Sequence, residues 1–147
     1  MPPEPRGAQR RKDDTLTRLH HDTDVWVATA DPDGDAHLVP LSFLWWEGSV
    51  VVATPGTTPT ARNLAAGRAV RVAAGETRDV VMITGAGGTL GDDPGACADA
   101  FADKHGWDPR AEGGFTYYRV FPSRIQAWRE ADEMRGRTLM RDGTWVV

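Results

Sequence analysis

Apolar and polar residues alternate with a period of two along much of this chain, and the stretches with a helical period are short. Val25 to Ala30 has the β-branched and aromatic content of a strand. Asp31-Pro-Asp-Gly-Asp35 predicts a turn that returns the chain as Ala36 to Trp46, an antiparallel hairpin. Glu47-Gly-Ser49 is a second tight turn, and Val50 to Thr54 a third strand. Between Thr54 and Gly67 the pattern changes to a short helix: Thr58 can cap it, Pro59 fits its first turn, and Gly67 supplies a left-handed stop. Ala69 to Ala74 sets Val70 and Val72 against Arg71 and Ala73, the mark of a half-buried strand. Arg78 to Thr84 follows, and its Val80-Val-Met-Ile83 centre predicts a strand covered on both faces.

The rest of the chain divides in the same way. Met1 to Lys12 has three prolines, four basic residues and little to bury, so a mobile tail is expected there and a folded domain from 13 to 147. Asp13 or Asp14 can cap a helix reaching about Asp22, with Leu16 and Leu19 on one face and His20 and His21 at its negative end. Asp92 or Asp93 can cap another around Pro94, running to about His105 with Ala96, Ala100 and Phe101 inward and Gly106 as its stop. Phe115 to Trp128 predicts a long strand bent or bulged at Pro122, and Asp142-Gly143 turns a final hairpin. At least six strands in hairpin order exclude a doubly wound parallel sheet and predict a mainly β fold, a closed antiparallel barrel.

Composition adjusts this picture only slightly. With 147 residues, 40% of them apolar, the chain suits one domain. A formal charge of −4 gives no basic field, so nucleic acid is not an expected partner. Only Lys12 and Lys104 are lysines, which leaves anion contacts to arginine, hydroxyls and backbone. Cys97 has no internal disulfide partner and reads as a small packed residue. The longest apolar run, Leu38 to Trp46, is broken by Pro40 and Ser42, and no export signal is evident, so a soluble, cytoplasmic protein without a membrane span is expected. The Asp31 turn imitates a calcium loop, but glycine stands at the fourth position and Ser42 at the twelfth, where a bidentate glutamate belongs. No metal site is expected.

The chemistry gathers at the short helix. Its first turn leaves the N–H groups of Thr60, Ala61 and Arg62 without helical partners, at the positive end of the macrodipole. Thr54, Thr57, Thr58 and Thr60 add hydroxyls and Arg62 a fixed charge, so the stretch can cradle a phosphate. The alternative is a capped surface helix with Arg62 in water. Ile83-Thr-Gly-Ala-Gly-Gly-Thr-Leu-Gly91 resembles the dinucleotide loop of short-chain dehydrogenases, but Asp92-Asp-Pro-Gly95 separates it from the next helix and Tyr117 and Tyr118 have no lysine downstream. A flexible glycine turn, free to act as a lid, is expected instead.

Val25-Trp-Val-Ala-Thr-Ala30, Asp33-Gly-Asp-Ala-His-Leu-Val-Pro-Leu-Ser-Phe43, Pro59-Thr-Ala-Arg-Asn-Leu64 and Arg119-Val-Phe-Pro-Ser-Arg-Ile-Gln-Ala-Trp128 together resemble the pyridoxamine 5'-phosphate oxidase-like superfamily. The resemblance covers about Thr15 to Trp128. It implies a six-stranded split β-barrel of Greek-key type with peripheral helices, a homodimer, and a cofactor in the groove between subunits. FMN is the usual cofactor of such proteins, and the deazaflavin coenzyme F-420 the alternative. Carried onto this sequence, the resemblance lays Val39, Pro40, Leu41 and Ser42 along the isoalloxazine edge. Thr54, Thr57, Thr58, Thr60, Arg62 and Asn63 fall at the phosphate, and Trp128 approaches the cofactor of the other subunit or sits in the core. Many relatives have a phosphate-gripping lysine where Thr60 stands, and Arg62 is the cation nearest that place. Arg71 and Arg78 are reserve anion contacts.

The implied activity is hydride transfer between the flavin and a small organic substrate, with His37 and Ser42 as proton or hydrogen-bond partners near the ring. His37 also reads as an outward hairpin residue beside its turn. Six tryptophans suit a barrel that buries a dimer face as well as a core. The rival from another class is a non-catalytic split barrel that holds flavin, haem or another ligand.

Overall fold

The computed structural model describes residues 4–91 and 94–147. Its strands are β1 Asp24–Ala30, β2 Ala36–Trp46, β3 Ser49–Pro55, β4 Ala69–Glu76, β5 Asp79–Thr89, β6 Phe115–Trp128, β7 Thr138–Arg141 and β8 Thr144–Trp145. The helices are α1 Ala8–His21, α2 Pro59–Ala65 and α3 Gly95–His105. Hydrogen bonding runs β3-β2-β1-β4-β5-β6, and β3 also pairs with β6, so six antiparallel strands close into a barrel; β7 and β8 extend the sheet past β6. Three hairpin-linked strands followed by a fourth that returns beside the first make the Greek key expected from the resemblance. None of the described helices is long and apolar enough to cross a membrane.

Strand periodicity decides what the barrel holds. Val25 and Val27, Val70 and Val72, and Val81 and Ile83 all point inward and are buried. Helix α2 touches β1, β2, β3, β5 and β6, and its Ala61 and Leu64 are fully buried in the same core. A second cluster lies outside the barrel, where Cys97, Ala98 and Phe101 of α3 cover Val51, Ala53 and Tyr117. Strand β3 is therefore buried on both faces. That role was expected of Val80 to Ile83, whose Val80 and Met82 are only half-buried. A continuous apolar run reports coverage of both faces only when some element arrives to cover the second one.

Three other expectations change. Helix α1 begins at Ala8, so the stretch expected as a mobile tail is helical there, and Arg6 and Arg11 are buried. Arg6 donates to Glu133 from Nε and Nη2, and Arg11 Nη1 reaches the Glu133 carbonyl. Partners more than a hundred residues away thus supply what an apolar-poor segment lacks. The buried face of α1 is Arg11, Thr15 and Leu19, with Leu16 half-buried beside it. In α3 the inward residues are Cys97, Ala98 and Phe101, while Ala96 is exposed. Its expected caps, Asp92 and Asp93, lie outside the described residues; Gly106 ends it at φ 62°.

The glycine stretch is not a lid. Gly85 to Thr89 continues β5, paired with β6 from Pro122 back to Tyr118. Thr84 faces Arg124 and Gly85 faces Pro122, so Ser123 is the extra residue of a bulge beside the proline. Gly87 lies directly beneath α2: a Cβ there would stand 2.6 Å from the Leu64 carbonyl oxygen. Glycine lets the helix approach the sheet so closely.

Candidate functional site

The start of α2 is built as the sequence predicts, but with fewer free donors. Thr58 Oγ1 accepts from the Ala61 amide at 3.1 Å and donates to the Pro55 carbonyl at 3.0 Å, while the Arg62 amide goes to the Thr58 carbonyl. Of the three N–H groups expected to face an anion, only that of Thr60 has no partner within the described turn. Thr54 and Thr60 are buried, and Asn63 donates its amide to Thr29 Oγ1 at 3.1 Å, tying α2 to β1. Thr57 and Arg62 remain exposed, with Arg62 Nη1 on the Thr57 carbonyl at 2.7 Å. Thr58 and Asn63 thus hold the helix in place, and Thr54 lies 3.4 Å from the Thr58 hydroxyl.

Arg62 opens onto a cleft of about 520 Å³ between α2 and the β1–β2 turn. Arg68 and His37 line it too, a convergence the sequence reading missed for Arg68 because the cleft forms only when the hairpin folds over the helix. Asp31 and Asp35 stand on the opposite wall, and Asp31 Oδ1 is occupied by the amides of Asp33 and Asp35 at 2.9 Å. The acidic loop is a self-bonded turn. Arg71 is exposed on β4, and Arg78 pairs with Glu130 on the surface, so neither joins the cleft.

From this cleft β2 runs with one edge open. It pairs with β1 over Ala36 to Ser42 and with β3 only over Phe43 to Trp46. The Phe43 amide points toward the β1 side, onto the Thr23 carbonyl. Residues that alternate with it therefore direct their backbone groups the other way, so Leu38, Pro40 and Ser42 address the open edge. Proline lacks an amide hydrogen, and position 40 is where that omission breaks no ladder bond. The open edge spans about 20 Å. The side chains of Val39 and Leu41 pack against the barrel core, so of the four residues placed on the ring edge only Pro40 and Ser42 can offer side chains outside; Ser42 Oγ donates to Asp24.

On the β1 side of the same strand, just past its pairing with β1, the structure adds two residues that the sequence reading treated only as helix-end cations. Lys104 Nζ donates to the Phe43 carbonyl at 2.9 Å and lies 4.1 Å from the centre of the Phe43 ring. His105 Nε2 is 2.8 Å from the same carbonyl. A carbonyl can only accept, so Nε2 is the protonated nitrogen. Burial lowers the pKa of both groups, a trend the Phe43 hydrogen bond opposes at His105. No sequence signal links residues more than sixty positions apart, which is why the pair was missed.

Trp128 lies at the other end of β6 from Thr116, the partner of Thr54, about 40 Å along an extended strand. Within one chain it does not meet the cleft. It lines a groove with Arg78, Glu130 and Met134. Trp26 and Leu38 are 50% and 60% exposed on the outward side of β1 and β2, and Pro40 pairs opposite Trp26. Trp26, Leu38 and Pro40 thus put exposed apolar side chains on one face of the sheet.

No protein-family model and no curated protein sequence matches the chain. Solved structures do. A protein assigned as a pyridoxamine 5'-phosphate oxidase from Listeria innocua superposes with a TM-score of 0.65 at 15% identity, covering 81% of this chain and 98% of that one. An F420 reductase gives 0.61 at 19%, covering 74% and 93%. A haem-binding protein from Mycobacterium smegmatis gives 0.67 at 18%, covering 94% of this chain and 59% of that longer one. The fold is thus the split barrel of pyridoxamine 5'-phosphate oxidase-like proteins.

Proposed function

We propose that this split barrel binds a flavin-type cofactor, FMN or the deazaflavin coenzyme F-420, along the open edge of β2 and works as an oxidoreductase on a small organic substrate. The observation that carries the reading is one continuous surface: the Arg62 and Arg68 cleft at one end, an unpaired strand edge about 20 Å long, and Ser42 at the other. Its length and its polarity suit a flat ring on a phosphorylated chain. The solved F420 reductase and oxidase-type structures with the same fold support it.

Arg62 and Arg68 would take the phosphate, helped by the Thr57 hydroxyl and the Thr60 amide. The backbone of Leu38, Pro40 and Ser42 would orient the ring, with Ser42 on that edge and His37 in the adjoining cleft to hold a proton. Such a cofactor, when bound, supplies hydride transfer, and the protein supplies position and exclusion of water. A second copy of the chain would cover the Trp26, Leu38 and Pro40 face, and its Trp128 would approach the ring, making a homodimer the working unit.

A non-catalytic ligand carrier is the second reading. It is favoured by the haem-binding protein that shares the fold and by the absence, among the described residues of the cleft, of a paired acid and base. Absorbance of the purified protein, then titration with FMN and with the deazaflavin coenzyme while following tryptophan quenching, separates them. Saturable quenching by one of the two is expected, weakened about tenfold or more in Arg62→Ala. Quenching by neither, with a haem spectrum instead, establishes the carrier.

A further inference from the structure

A second cleft, of about 260 Å³, lies between α1 and the barrel, away from α2. Its wall is a chain of alternating charges. Arg6 Nη1 meets Asp14 Oδ2 at 3.2 Å, and Arg18 bridges Asp79 Oδ2 at 3.1 Å and Asp22 Oδ2 at 3.0 Å. Between these pairs stands Arg129, 3.8 Å from Asp14 and 3.4 Å from Asp79. Those two separations exceed the 2.7–3.2 Å of a good N–H···O bond, and the Arg129 guanidinium makes none among the described residues. The Oδ1 atoms of Asp14, Asp22 and Asp79 also have no hydrogen-bond donor there. Full charges of both signs with unused bonding capacity therefore face one small cleft.

Its floor is different. Val81 and Ala127 are buried, and Thr15, 2% exposed, has a hydroxyl with no hydrogen-bond partner. An orphaned buried hydroxyl is costly in a finished ion network and useful in a site that a ligand completes. The volume falls just below that of pockets for drug-sized ligands, so nucleotides and flavins are too large for it.

We propose that this cleft binds a small zwitterion of the α-amino acid class. An α-amino acid carries its ammonium and carboxylate on one carbon, and the cleft presents Arg129 between two carboxylates only 3.4 and 3.8 Å away. The carboxylate of the ligand takes the idle Arg129 fork in a bidentate pair, its ammonium bridges Asp14 and Asp79, and a small apolar side chain lies over Val81 and Ala127. The site is independent of the cofactor reading, since it shares no residue with the α2 cleft.

The test uses the full chain and L-valine, followed by amide resonances of α1 and β5 in ¹H–¹⁵N spectra at constant ionic strength. Saturable shifts with a Kd of roughly a millimolar are expected. N-acetyl-L-valine, which lacks the ammonium, and L-valinamide, which lacks the carboxylate, should each bind at least tenfold more weakly. Arg129→Gln should weaken L-valine by a similar factor with its circular dichroism spectrum unchanged, and Asp79→Asn gives the same readout if Arg129→Gln does not fold. Absence of saturable shifts at about ten times that concentration overturns the proposal. So does N-acetyl-L-valine binding as well as valine, which marks a plain anion site, or valine affinity untouched by both substitutions.

Discussion

Arg6 and Glu133 are joined through two points, Nη2 to Oε1 at 2.8 Å and Nε to Oε2 at 3.0 Å, with both side chains almost out of solvent. Removing one partner of such a pair strands a buried charge, so Arg6→Ala should cost about 3–5 kcal/mol in urea unfolding, well above a typical surface substitution. The hydrogen bond from Arg6, helped by the Arg6 and Arg129 amides, holds the Glu133 carboxyl down at about 2. Its folded value is depressed, so the stability it contributes is complete above the unfolded value of 4.5 and is lost as pH falls through about 2. Stability measured from neutral pH into acid should therefore fall less steeply below pH 4.5 in Glu133→Gln than in the wild type. None of this was legible in the sequence, where Arg6 reads as part of a proline-rich basic tail. Thr58 was legible, because a helix cap needs only three neighbouring residues, and its loss in Thr58→Ala should cost about 1 kcal/mol of thermal stability.

Among the elements, β5 and α2 form the pair in which local signals and packing diverge most. Glycines at 85, 87 and 88 read as a turn because glycine weakens strands, yet here they are what a strand needs to run under a helix. A Cβ at 87 would meet the carbonyl oxygen of Leu64 at 2.6 Å and its Cα at 2.9 Å, both backbone atoms that cannot swing aside. Gly87→Ala is therefore expected to displace α2, cost about 1–3 kcal/mol, and weaken any ligand held by Arg62, where a surface alanine would do neither. Calorimetry and the quenching titration read the two effects separately. The β1–β2 and β2–β3 hairpins, by contrast, were legible from end to end, since each depends on alternation and a turn a few residues away. Helix α3 was legible as a helix but not in its facing: with small residues around most of its circumference, only the position of Tyr117 and Val51 decides that Cys97 and Ala98 turn inward.

For the molecule as a whole, a closed antiparallel barrel was readable from the run of hairpins, whereas the return of β4 to lie beside β1 instead of β3 was implied only by the family resemblance; β3 then closes the barrel on β6. The cleft at Arg62 and Arg68 was only half readable: one wall is the helix, the other a hairpin turn brought over it by the barrel. The apolar face carrying Trp26 and Leu38 gives a further expectation. If two copies of the chain pair through this face as proposed, replacing both with aspartate should convert the dimer to a monomer by light scattering, while leaving the barrel's circular dichroism unchanged, because both side chains project from the core. Flavin affinity should fall together with the dimer if the partner's tryptophan completes the site.

Proline at position 40 has one more consequence. An unpaired strand edge is a template on which another polypeptide can polymerise, and cells tolerate few of them. Pro40 removes an amide hydrogen from the middle of that template while leaving carbonyl oxygens in place, so a foreign strand finds its register interrupted whereas a compact aromatic molecule does not. On the cofactor reading proposed above, the edge would act as a filter, closed to chains and open to a small molecule. Pro40→Val should abolish the filter, and the purified variant should turn turbid and bind amyloid dyes on standing at concentrations where the parent protein stays clear.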